Sequence, residues 1–325
     1  MRSRGAWNGL AIVAVLTAIF VVTLFPTGTG TPSPFFFGFS LGSRNLGDAI
    51  LNFFLFLPLG LAIGWNGSPA TRAGLWGLVV ASVIELAQMV LPGRDPALSD
   101  ILLNASGTLV GAVLARRRRA WVMPDGRITA VLAATSISLL AAVMVVTAFL
   151  LSPAPSAEES VFIGRSGNDL LLRYPSRGGA YGFDQPEYWG SGFFESGVSG
   201  APALASVSRD RARWEITIGS NRATIGPTVG RGWAVLAYPD AIGRRWGGVV
   251  SSVWLFAICL PAGFWARGRL RLPAALVVML LLALIPAATG IGATSAIEWA
   301  GALLGFLAGV VLGEAGKRLS SRRGE

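Results

Sequence analysis

The chain has 325 residues, of which 53% are hydrophobic and 14% charged, and its mean hydropathy is +0.59. Soluble proteins of this length carry far more charge, so these values indicate an integral membrane protein with the lipid bilayer as its surroundings. The absence of histidine and the single cysteine, Cys259, exclude histidine-ligated zinc, Ser-His or Cys-His nucleophilic pairs, and an intrachain disulfide. The net charge of +10 does not indicate a nucleic-acid partner, because the arginines cluster between apolar segments, as at 116–119.

Eight apolar segments have about the length that a helix needs to cross a bilayer. In chain order they are 6–25, 48–65, 74–91, 99–115, 128–151, 248–265, 272–291 and 295–312. The second segment is short and contains Pro58, and the fourth is also short. The sequence therefore predicts a mainly α fold, a polytopic helical membrane bundle of about eight spans. The opening segment also resembles a signal peptide, but we favour an uncleaved first helix because the span count is then even.

The basic residues lie at alternate ends of these segments, which predicts the orientation of the segments in the membrane. One set of ends holds almost all of them, and the opposite short loops hold only Arg44 and Arg94. Both termini, including a basic C-terminal tail, are therefore expected in the cytoplasm. The segment between the fifth and sixth spans is then extracytoplasmic.

That segment, residues 152–247, reads as one small all-β, sandwich-like domain inserted between membrane domains at 1–151 and 248–325. Alternating stretches at 160–164, 169–174, 213–219, 222–226 and 232–238 predict strands, with a hairpin turn at 219–221. Its aromatic residues suit either sugar stacking or a β core with an interfacial belt. The best candidate ligand-binding loop, 182–194, contains Asp184, Tyr188 and Trp189.

Polar residues within the second to fourth spans form the candidate functional site. With the orientation above they all fall in the outer half of the membrane; they are Asp48, Asn52, Glu85, Gln88, Arg94, Asp100 and Asn104. A carboxylate in lipid is costly and normally faces a partner or a water-filled cavity, so one explanation is a shared outward pocket. The other is structural: interhelical hydrogen bonds, an Arg–carboxylate pair, and acidic residues placed at helix N-termini. The pattern singles out no metal site, cofactor or catalytic residue.

The same residues carry a family resemblance. The segments DAILNFFLFLPLG, IELAQ and GRDPALSDILLNASGTLVG, within 48–115, resemble the VanZ-like family of bacterial membrane proteins. The resemblance implies a role at the cell envelope, and some VanZ-like proteins carry an external concanavalin A-like or laminin-G-like domain. A weaker internal similarity pairs Gly107 and Gly111 with Gly301 and Gly305, which would place Glu298 opposite Asn104 and Thr294 opposite Asp100.

Two functions remain open at this point. The first is a cell-envelope protein whose outward pocket binds or processes a lipid-linked or cell-wall-related ligand. The second is a non-catalytic sensor or scaffold whose external β domain binds a glycan or a protein partner.

Overall fold

The computed structural model describes residues 2–24, 34, 45–92, 94–181, 183, 187–194, 205–236 and 239–321, and it divides into two compact units. Unit 1 ends at Trp121 and unit 2 begins at Val122. The helices are α1 (Arg2–Leu24), α2 (Asn45–Trp65), α3 (Ala70–Gln88), α4 (Leu98–Arg116), α5 (Arg118–Val122), α6 (Gly126–Leu151), α7 (Pro239–Trp265), α8 (Arg271–Thr289) and α9 (Ala296–Ser321).

The helices confirm the predicted fold class, a membrane bundle with a β insertion. Within the described ranges, seven helices are long and apolar enough to cross a bilayer: α2, α3, α4, α6, α7, α8 and α9. The apolar part of α1, Gly9–Leu24, is shorter. The predicted domain boundaries at 151 and 247 stay a prediction, and α6 packs within unit 2.

Unit 1 is built around the parallel pair α2 and α4, whose backbones touch through glycines. A Cβ on Gly107 would lie 3.0 Å from the carbonyl carbon of Phe53, and one on Gly60 would lie 2.9 Å from the backbone nitrogen of Ala112. Small residues of this kind let membrane helices approach closely and gain dispersion contacts. Helix α3 packs on α4, and α1 packs on α2 and α3.

Unit 2 repeats this packing with α7 and α9. A Cβ on Gly305 would lie 2.6 Å from the Cα of Phe256, and one on Gly263 would lie 2.7 Å from the carbonyl carbon of Phe306. The spacing from Phe256 to Gly263 equals that from Phe53 to Gly60 in α2, with a proline at the same place between them in both helices. Helix α6 packs on α7 and α8 as α1 packs on α2 and α3. Helices α7 and α9 therefore correspond to α2 and α4, and α6 is placed as α1 is, whereas α8 contacts α9 far less than α3 contacts α4.

These contacts correct the register expected from the glycine spacing. The glycine that abuts the Phe256 carbonyl is Gly305, so Gly305, not Gly301, is the counterpart of Gly107. Glu298 then corresponds to Asp100 instead of Asn104. The glycines of α9 recur every four residues, so the glycine spacing of α4 can be aligned with them in two registers that differ by one helical turn. Only the contacts of the glycines with the partner helix distinguish the two registers.

The insertion in unit 2 contains two three-stranded antiparallel sheets. The first consists of β1 (Phe162–Ser166), β2 (Asp169–Arg173) and β3 (Glu187–Gly190), and the second of β4 (Ala205–Asp210), β5 (Arg213–Ile218) and β6 (Asn221–Ile225). The predicted hairpin turn is present, because Ile218 pairs with Asn221. The buried core includes Leu170, Leu172, Tyr174, Tyr188, Trp214 and Ile216.

One predicted strand of the insertion is wrong. Val229–Val235, which overlaps the first half of the predicted strand 232–238, is a 3-10 helix, and it packs against α6, α7 and α8. Trp233 donates through Nε1 to the Ser251 hydroxyl oxygen at 3.0 Å. Just before this segment, the Thr228 hydroxyl donates to a carboxylate oxygen of Glu298. The apolar stretch resembles a strand in sequence, but helices surround it in the structure. Residues 228–235, called the insertion segment below, cover Ser251 and Glu298.

Candidate polar site of unit 1

Four helix ends meet at one end of unit 1: the C-termini of α1 and α3 and the N-termini of α2 and α4. The close contact of α2 with α4 fixes their register, which brings the first turns of both helices together. Asn52 donates a hydrogen bond to the Asp100 carboxylate, and Asp48 lies within electrostatic range of that carboxylate. Asp48, Asn52 and Asp100 are each half-buried and form the rim of the site.

Glu85 lies deeper, at 2% exposure. Its Oε2 accepts a hydrogen bond from the backbone N–H of Ala97 at 3.0 Å, and it lies within electrostatic range of Asp100 and Arg94. Ala97 is the N-cap residue of α4 and offers no side chain for capping. A carboxylate from α3 therefore fixes the start of α4 and connects the deeper layer of the site to its rim.

Gln88 and Arg94 attach this end of the unit to α1. The Nε2 of Gln88 donates to the carbonyl of Thr23 at 2.9 Å, and the Nη2 of Arg94 donates to the carbonyl of Val22 at 2.9 Å. Thr23, Val22 and Ala97 are members of the site that the sequence did not indicate, because they contribute backbone atoms, which any residue type supplies.

Asn104 forms the floor of the site. Its side chain is 1% exposed, and among the described residues its Oδ1 has no hydrogen-bond partner. Leaving a buried amide oxygen unsatisfied costs about 1–3 kcal/mol, so native proteins rarely do so without reason. A buried acceptor is thus held inside the unit without a donor among the described residues.

The chemistry of the site is dominated by hydrogen-bond acceptors. The site holds three carboxylates, one guanidinium and three amides, and two of the carboxylates, Asp48 and Asp100, lie in the first turns of α2 and α4, where the helix dipole favours negative charge. Carboxylate and amide oxygens accept hydrogen bonds from hydroxyl, amine and amide groups. Within the described ranges, no three or more Asp, Glu or Cys side chains are grouped as metal ligands.

Unit 2 builds the same helix pair without most of these residues. In the register fixed by the glycine contacts, Ser251 corresponds to Asp48, Leu255 to Asn52 and Ala302 to Asn104. Only the position of Asp100 is again acidic, as Glu298. Close packing of the two central helices therefore does not require the polar set. A purely structural role accounts for Glu85, Gln88 and Arg94 through their backbone contacts, and for Asn52 and Asp100 through their hydrogen bond between α2 and α4. It does not account for the buried Oδ1 of Asn104, which has no partner among the described residues.

The three candidate ligand-binding residues of the insertion have different surroundings. Tyr188 is 1% exposed and its ring stacks on that of Tyr174 with centroids 5.3 Å apart, so it is a core residue with no face available to a sugar. Burial raises the pKa of both phenols far above the usual value. Trp189 is half-buried on β3. Asp184 lies outside the described residues.

Comparison with known proteins identifies the N-terminal part of the chain. The family model described as VanZ/LLP1 matches residues 11–122, a range that contains all seven predicted polar residues and ends where unit 2 begins. The predicted resemblance is thus confirmed over this range. No curated protein and no solved structure matches the chain. The helices and this match together indicate a multi-pass membrane protein whose N-terminal unit is similar to the VanZ/LLP1 family.

Proposed function

We propose that the polar site of unit 1 binds the head of a lipid-linked or cell-wall-related molecule at the outer side of the bacterial inner membrane. The observation that carries this proposal is the comparison between the two units. Unit 2 achieves the same close helix pair with Ser251, Leu255 and Ala302, so close packing of the backbones does not by itself require the polar rim and floor of unit 1.

The insertion segment of unit 2 supports a hydrogen-bond donor as the ligand group. In unit 2, Ser251 and Glu298 occupy the positions that correspond to Asp48 and Asp100. The indole N–H of Trp233 donates to Ser251, and the hydroxyl of Thr228 donates to Glu298. In unit 1 both positions hold carboxylates, and the Asp48 carboxylate is a stronger acceptor than the Ser251 hydroxyl. Hydroxyl and amine groups of a sugar or an amino-sugar head are donors of this type.

The site has an accessible part and a closed part. Asp48, Asn52 and Asp100 are half-buried, and the ligand head contacts these first. Glu85 and Asn104 are 2% and 1% exposed, so they act from below the rim. The proposed topology puts this end of the helices outward, with both termini in the cytoplasm and the insertion extracytoplasmic.

The test is identification of the molecules that co-purify with the full chain. Wild-type protein and Asp100→Asn are purified in parallel in a mild detergent, and bound lipids and glycans are identified by mass spectrometry. Asp95→Asn is the matched control, because Asp95 makes the same charge change from an exposed position in the α3–α4 loop. We expect a lipid-linked species with the wild type and the control that is reduced about tenfold with Asp100→Asn, as loss of a charged hydrogen bond predicts.

Folding is measured on the same samples from the thermal transition of each variant. A site that binds ligand gives a loss of co-purified species while the transition stays within a few degrees of the wild type. Equal amounts of the same species on wild type and Asp100→Asn would contradict the proposal.

The second candidate, a sensor or scaffold acting through the insertion, depends on Trp189. Deleting the whole insertion is a poor test, because Thr228 and Trp233 also cover Glu298 and Ser251. Trp189→Ala, with the exposed Phe162→Ala as control, leaves that cover in place. Glycan or partner binding that is lost only with Trp189→Ala would favour this function over the first.

A further inference from the structure

Unit 2 contains a cleft where the second sheet of the insertion meets the end of α8. It consists of two cavities of 330 and 430 Å³ that share Arg211 as a lining residue. Arg213 also lines the first, and Arg177 and Arg209 line the second. Neither lining includes an Asp or Glu among the described residues. Four arginines thus line these two adjoining cavities, together called the cleft, and no acid is among the described residues that line them.

Arg211 is held in this cleft at a conformational cost. It sits in the two-residue turn between β4 and β5 with φ of 55°, the only described residue other than glycine in the left-handed region. Left-handed backbone is unfavourable for a residue with a Cβ, and such outliers are concentrated at functional sites. Its side chain packs on Gly290 at the end of α8, and its Nη1 donates to the Ala287 carbonyl at 3.3 Å.

The four arginines differ in how their charge is balanced. Arg209 pairs with Glu158 at 2.9 Å and Arg213 with Asp210 at 2.8 Å. Within the described residues, Arg211 and Arg177 have no carboxylate within ion-pair distance. The guanidinium of Arg177 lies over the ring of Phe149, 5.2 Å from its centroid. The cleft therefore carries two guanidinium charges that the described protein does not neutralise.

The cleft lies at the ends of two candidate membrane-spanning helices, where we expect the phosphate groups of a bilayer. Its lining includes Ser152, directly after α6, and Thr289, the last residue of α8. Both helices are apolar enough to span the membrane, and their ends lie where the hydrocarbon gives way to the headgroup region. An arginine offers paired N–H donors that match two phosphate oxygens.

We infer that this cleft is a binding site for a phosphate group, held by Arg211 and Arg177 with Arg209 and Arg213 beside them. The phosphate comes either from a phospholipid head or from a water-soluble phosphate compound. The site lies in unit 2, beyond the range that matches the VanZ/LLP1 model, and it is independent of the polar site of unit 1.

The test uses the full chain in dodecyl maltoside micelles. Binding of dioleoyl phosphatidylglycerol is measured by native mass spectrometry, with dioleoylglycerol as the lipid that lacks the phosphate. Binding of inorganic phosphate is measured by titration calorimetry at constant ionic strength. The variant is Arg177→Gln with Arg211→Gly, because glycine adopts the left-handed turn without strain. Arg222→Gln is the control, since Arg222 is exposed, pairs with Glu215 and lies outside the cleft.

We expect the double variant to lose affinity at least about tenfold and the control to bind as the wild type does. Loss for phosphatidylglycerol alone assigns the site to a lipid head, and loss for inorganic phosphate as well assigns it to the phosphate group itself. The inference is overturned if neither probe binds the wild type, if dioleoylglycerol binds as well as phosphatidylglycerol, or if the double variant and the control behave alike. Protection of the buried Cys259 thiol from labelling verifies that each variant is folded.

Discussion

Replacing Gly305 by alanine should separate α9 from α7 and destabilise unit 2. The new Cβ would lie 2.6 Å from the Cα of Phe256 and 2.7 Å from its carbonyl carbon, well inside contact distance. Backbone atoms cannot rotate away as a side chain does, so the helices must move apart. Overpacking of this kind costs about 1–3 kcal/mol. For a unit of this size, a cost of about 2 kcal/mol lowers the midpoint of thermal unfolding by about 4–8 °C.

Cys259 provides the assay. It is the only cysteine of the chain, it lies on α7, and it is fully buried. A maleimide dye that becomes fluorescent on reaction with a thiol therefore reports the exposure of this one position as the temperature rises. Gly9→Ala is the control, because nothing lies within 4 Å of the added Cβ. An unchanged midpoint for Gly305→Ala, or an equal decrease for Gly9→Ala, would refute the close-packing argument.

Three further outcomes are expected. Asp125→Ala removes the N-cap of α6, because the Asp125 carboxylate accepts a hydrogen bond from the Ile128 N–H at 2.8 Å. The variant should lose about 0.5–2 kcal/mol of unfolding free energy in the same thermal assay, and an unchanged midpoint would mean that the cap contributes nothing. Because burial raises the pKa of Tyr174 and Tyr188, the folded state retains protons that the unfolded state releases above pH 10, so stability should fall as pH rises from about 10. Tyrosinate absorbance at pH 11 below that of the unfolded chain checks this, and equal absorbance would contradict it. Glu298→Gln should weaken the acceptor of the insertion segment and speed amide hydrogen exchange at 229–235, and unchanged exchange would contradict that role.

The membrane helices were predictable because their signal lies in composition alone. Long apolar runs gave the helices to within a few residues at most ends, since lipid requires a length and excludes most charge. The inserted strands were less predictable. Strand β3 and strand β4 lack a clear alternation, and the 3-10 helix Val229–Val235 carries an apolar run that is buried by helices on several sides instead of by a sheet.

The site was predictable in its side chains but not in its contacts. Polar residues in an apolar helix are visible in a sequence, and their spacing places Asp48 with Asn52 and Asp100 with Asn104. The contacts depend on which helix ends meet in the fold. Glu85 accepts a hydrogen bond from the backbone of Ala97, and Gln88 donates one to the backbone of Thr23. The arginine cleft was not visible for the same reason, since Arg177 and Arg211 are distant in the chain and line the same cavity only in the folded protein.

The insertion segment over Ser251 and Glu298 has a consequence for ligand stoichiometry. A chain with two corresponding helix units would ordinarily offer two equivalent sites, and two sites permit cooperative binding. Here a segment of the same polypeptide fills the second position, at an effective concentration that a dissolved competitor does not reach. A ligand of unit 1 should therefore saturate the protein at one molecule per chain, with a simple hyperbolic isotherm.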